Sequence, residues 1–144
     1  MSATTRVRLL RGSGVLLFLL GIVHLVATPH IAAFIRQTVA KGAADTFVPP
    51  MLLNHVLVGV LLLPLGYLTV YAAPHRTPWA QVIIRVTALT VATLPVTVLA
   101  LMGVSYFDAP LFLVGFLLAV AASGTLLWAA FTRPRPNESL NQIP

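Results

Sequence analysis

Cysteine is absent from this chain, and charge is scarce: nine Lys and Arg and three Asp and Glu among 144 residues, 8% in all. Without thiols, disulfide scaffolds, thiolate metal sites and cysteine redox chemistry are excluded. Soluble domains carry about a quarter charged residues, so that class is excluded too. Disorder requires low hydrophobicity, whereas 58% of these residues are hydrophobic. No Walker A loop, GxSxG elbow, Rossmann fingerprint or HExxH pair occurs, which removes the common nucleotide, hydrolase and zinc-protease sites. Neither an internal repeat nor the period-2 alternation of a membrane barrel is present.

What remains is apolar sequence in long runs. A spanning helix needs about 20 mostly apolar residues, and four stretches qualify, at about 14–35, 51–71, 80–102 and 110–131. The expected fold is an all-α integral membrane protein, a four-transmembrane-helix up-down bundle. In hydrocarbon, backbone groups must be satisfied within the chain, which helices do and open sheets do not. Residues 1–13 form a basic segment and residues 132–144 a polar, Pro-containing tail expected to be disordered. The first apolar run is too long for a signal h-region, so it reads as an uncleaved span.

The net charge of +6 reads as topology, because the positive residues make no single patch along the sequence, and no nucleic-acid partner is expected. Arg6, Arg8, Arg11, Arg76, Arg85, Arg133 and Arg135 fall on one side after four crossings. Arg36 and Lys41, with Asp45 and Asp108, fall on the other. The positive-inside rule then places both termini in the cytoplasm, as in a multi-pass protein of a bacterial inner membrane. Tyr71, Trp79 and Trp128 belong to the inner aromatic belt and Tyr106 to the outer one. Arg85 can snorkel to the inner headgroups, and His75 is solvated.

The connection between spans one and two allows two readings. Thr28-Pro29 resembles a helix start, Gly42 a stop, and Ile31, Phe34, Ile35 and Val39 give one apolar face. Together they predict a kink at Pro29 and a short interfacial helix; otherwise span one continues through Pro29 with a bend. Pro49-Pro50 opens span two, and Asp108 caps span four.

Within the spans, stripes of small and polar residues mark the faces expected to pack. These are Gly14, Gly21, His24 and Thr28; His55, Gly59 and Gly66; Thr90, Thr93 and Thr97; and Gly115, Ala119 and Ala122, with Ser123 and Thr125 beside them. Pro64 and Pro95 each free a backbone carbonyl to bond elsewhere.

Intramembrane ionisable groups raise a functional hypothesis by default. Here they are His24 and His55, with His30 at the edge of span one and Asn54 beside His55. Helical rise places them in one half of the bundle, level with Met51, Gly59, Thr97, Met102 and Tyr106 as lining residues. Three readings follow. In the first, the imidazoles are polar glue in a non-enzymatic accessory or assembly subunit, whose partners are the bilayer and another membrane protein or further copies. In the second, His24, His30 and His55, with Asn54, hold haem b or a transition metal for redox chemistry. In the third, these groups line a site for a lipophilic small molecule.

Overall fold

A computed structural model describes residues 1–38, 41–102 and 110–132. Four α-helices follow one another: α1 (Ala3–Thr38), α2 (Lys41–Ala72), α3 (Pro78–Met102) and α4 (Pro110–Phe131), and no strand occurs among the described residues. All four are long and apolar enough to cross a membrane, as the hydropathy pattern requires. The turn at Asp108 and the tail after Thr132 lie outside the described residues.

The first two helices are longer than the apolar runs alone suggest. α1 begins at Ala3 and includes the basic segment, because Arg, Leu and Val in that stretch oppose no helix-breaking residue. No separate helix stands between α1 and α2 among the described residues: α1 runs through Pro29 to Thr38 as one helix. Pro29 removes one backbone donor, whereas Thr28 Oγ1 donates 2.8 Å to the His24 carbonyl and Thr38 Oγ1 2.6 Å to that of Phe34, so hydroxyls bond back along the helix on both sides of it. Gly42 is no stop, and Pro49-Pro50 is no start, since α2 already begins at Lys41. The two prolines deny donors to the carbonyls of Asp45 and Thr46. Those carbonyls precede the apolar stretch that opens at Val48, where water can serve them at low cost.

The chain divides into two compact units, 1–14 with 68–144, and 15–67. In the first, α3 packs on α4, with Leu10, Ile84, Ala88, Val91, Leu126 and Ala129 buried. Arg6 Nε donates 3.0 Å to the Ala129 carbonyl, and Ser13 bonds Thr125 across 2.9 Å. Numbers rise on α1 as they fall on α4, so the two run antiparallel. The same holds for α3 and α4, where Arg85 lies over the Phe131 ring and Ser123 reaches Val91.

That last bond has a specific cause. Pro95 has no N–H, so the Val91 carbonyl four residues earlier loses its helical donor. The one hydroxyl hydrogen of Ser123 on α4 is shared: Oγ lies 2.6 Å from the Ala119 carbonyl of its own helix and 3.2 Å from the Val91 carbonyl. The carbonyl that Pro95 frees thus meets a shared, weaker donor on the neighbouring helix. Such hydrogen bonds between membrane helices are worth about 0.6 to 1.7 kcal/mol. Ser123→Ala is expected to lower unfolding stability by about 1 kcal/mol. Pro95→Ala, which restores the backbone donor, should remove most of that cost, so the two substitutions will be non-additive in a double-mutant cycle.

Candidate functional site

The intramembrane histidines belong to the 15–67 unit. On α1, Gly21 and His24 are three residues apart; on α2, His55 and Gly59 are four apart. Each pair therefore shares one helix face. Glycine at both crossing positions lets the backbones meet. A Cβ on Gly21 would lie 2.9 Å from the Gly59 carbonyl oxygen, and one on Gly59 would lie 3.0 Å from the His24 Cβ and 3.1 Å from the Gly21 carbonyl oxygen. Close approach through small residues is the general means by which membrane helices associate. Numbers rise on α1 as they fall on α2, so this pair is antiparallel as well.

The glycine crossing stacks the two imidazoles, with centroids 4.7 Å apart and planes 29° from parallel. His24 Nδ1 lies 2.9 Å from the Leu20 carbonyl oxygen. A carbonyl only accepts, so Nδ1 carries the hydrogen, and in the neutral ring Nε2 holds the lone pair. His55 Nε2 is buried and has no hydrogen-bond partner among the described residues.

The other residues of the expected cluster are not assembled there. His30 is exposed. It lies six residues beyond His24, about 240° around the helix. Asn54, Met51 and Thr97 are exposed as well, and Gly59 is buried by the α1 crossing rather than by a cavity. The Met102 side chain and Tyr106 lie outside the described residues. Gly115, expected on a packing face, has open space about it.

Among the described residues no three His, Cys, Asp or Glu side chains converge as a metal site. The pair that does converge is unsuited to metal. Imidazole lone pairs lie in the ring plane, and two rings stacked nearly parallel do not aim them at one ion. A haem iron ligated from both sides would have to lie between the rings, where there is only contact distance. The donor set therefore does not fit haem b or a tetrahedral transition metal, which takes three or four protein ligands.

The second candidate is a cavity that the sequence pattern does not announce. It encloses about 130 Å³ in the 1–14 with 68–144 unit, where the start of α1, the α2–α3 turn and the end of α4 meet. Arg6, Arg76 and Arg85 line it together with Gln81 and Thr132. Antiparallel packing gathers these three arginines from positions up to 79 residues apart. Beside the cavity, Tyr71, His75 and Trp79 form a ring cluster with centroid distances of 5.5 to 6.1 Å. Tyr71 and Trp79 remain exposed, as residues of an aromatic belt are.

No family model matches the chain, and neither a curated protein nor a solved structure does.

Proposed function

We propose that this chain is a non-enzymatic accessory or assembly subunit of a membrane, a four-span up-down bundle with both termini in the cytoplasm. One observation carries the reading: six of the described polar side chains within the spans are spent on helix structure and packing. His24 bonds its own helix and stacks on His55. Thr28 and Thr93 bond carbonyls of their own helices. Ser13, Thr125 and Ser123 join neighbouring helices. The histidine pair is then glue that fixes one register of α1 on α2. Purified in mild detergent, the protein should run as an assembly of defined stoichiometry, measured by native mass spectrometry. A lone 15.4 kDa protomer across all mild detergents would overturn the reading.

The absence of cysteine makes the topology directly testable. Thr4→Cys and Thr77→Cys should be labelled by a membrane-impermeant maleimide only from the cytoplasmic side, and Thr46→Cys only from the other. All three residues are exposed. Labelling of Thr4→Cys from outside would reverse the orientation.

His55 Nε2 supports one further reading, in which a lipophilic molecule or a partner helix supplies the missing hydrogen bond. A buried unsatisfied polar group costs about 1–3 kcal/mol. His55→Phe keeps an aromatic ring, slightly larger, and deletes both nitrogens, so the isolated protomer should gain about 1 kcal/mol in thermal or denaturant unfolding. A loss of stability instead would show that the nitrogen has a partner in the purified protein.

A further inference from the structure

The arginine-lined cavity has no part in the packing role just described. Arg6 is partly buried, and the positive charges of Arg76 and Arg85 act on it. Its Nε is taken by the Ala129 carbonyl in the last turn of α4, where a cation is favourable. Arg85 is held over Phe131, with Cζ 5.6 Å from the ring centroid, a cation–π contact that orients its guanidinium. Gln81 Nε2 donates 3.3 Å to the Arg76 carbonyl and pins the turn that carries Arg76. Three cations are thus placed by separate contacts around one space. Asp45, the one carboxylate among the described residues, belongs to the other unit. Like charges drawn together with no counter-charge beside them among the described residues repel one another, so the arrangement suits an anion.

The chemistry of that anion follows from the donors. Guanidinium forks match the paired oxygens of phosphate, and Arg is the side chain suited to such bidentate recognition. The cavity offers roughly ten times the free space that one water needs on the same measure, enough for a phosphate group and not for a folded partner. It opens where the start of α1, the α2–α3 turn and the end of α4 meet, at the ends of helices long and apolar enough to cross a bilayer, which is where headgroups lie. We propose that Arg6, Arg76 and Arg85 form a binding site for a phosphate group, with an anionic phospholipid headgroup as its source at the membrane surface and free phosphate as the soluble one.

Native mass spectrometry of the full chain in dodecyl maltoside, titrated with phosphatidylglycerol, phosphatidylcholine or inorganic phosphate, tests the site. Phosphatidylglycerol should bind more tightly than phosphatidylcholine, whose choline the arginines repel. Arg76→Gln with Arg85→Gln should weaken binding at least about tenfold, as expected for removal of charge-assisted hydrogen bonds. These two side chains donate no hydrogen bond within the described structure, and far-UV circular dichroism should show the helices intact. Arg8→Gln with Arg11→Gln, two exposed arginines that do not line the cavity, should bind as the parent does. Phosphatidylglycerol that excess inorganic phosphate cannot displace identifies the lipid as the source; displacement identifies the free ion. Equal binding of both lipids with no phosphate binding, or equal losses in the two double variants, overturns the proposal.

Discussion

Gly21→Val is expected to pry α1 from α2 and lower stability by about 3 kcal/mol, at the upper end for overpacking. The reason is geometric. The new Cβ would fall 2.9 Å from the Gly59 carbonyl oxygen and 3.1 Å from the Leu63 side chain. Leu63 can rotate away, but backbone oxygen cannot, so the crossing itself must open. Opening it separates the His24 and His55 rings, which touch only because the backbones do. Chemical denaturation in detergent measures the loss. Gly124→Ala is the matched control: nothing lies within 4 Å of its added Cβ, and helix propensity favours alanine over glycine by about 1 kcal/mol. Opposite signs for the two substitutions are the expected result; equal effects would show that the Gly21 crossing is not tight.

Leu126→Ala is expected to cost about 2 kcal/mol in the same assay, the low end of the range for large-to-small core changes. Leu126 is 0% exposed, on α4. In water such a change loses both transfer free energy and packing. Within a bilayer the unfolded reference keeps the side chain in hydrocarbon, so the cavity and its lost dispersion contacts account for most of the effect. Leu101, 79% exposed at the end of α3, provides the comparison: Leu101→Ala should change the stability of the isolated protomer by less than about 0.5 kcal/mol. If Leu126→Ala were equally silent, α4 would not be seated as described.

The histidines show how far local pattern carries a site. Spacing alone puts Gly21 with His24 and His55 with Gly59 on single faces, and the facing of those two pairs was legible. The inclusion of His30 was not sound, because depth along a helix says nothing of direction around it. At six residues from His24 it points elsewhere, whatever its level. The stretch after Pro29 continues α1 rather than starting a helix of its own, because cap-like residues mark a start only when the preceding chain has stopped.

The arginine cavity was hidden for the opposite reason. Its arginines lie on two helices and a turn, and only Arg76 and Arg85 fall near one another along the chain. The one advance signal was their common side under the positive-inside rule, which fixes a level and not a meeting point. The Ser123–Val91 bond lies between these cases. Pro95 announces the freed carbonyl, but only the register of α4 on α3 selects Ser123 as donor.

Four apolar helices and the absence of thiol chemistry are settled by composition and hydropathy, because insertion into hydrocarbon depends on sums over a single segment. Which groups face one another is settled by the rotation and register of packed helices. Those depend on close contacts such as Gly21 with Gly59, and only the folded chain brings them together.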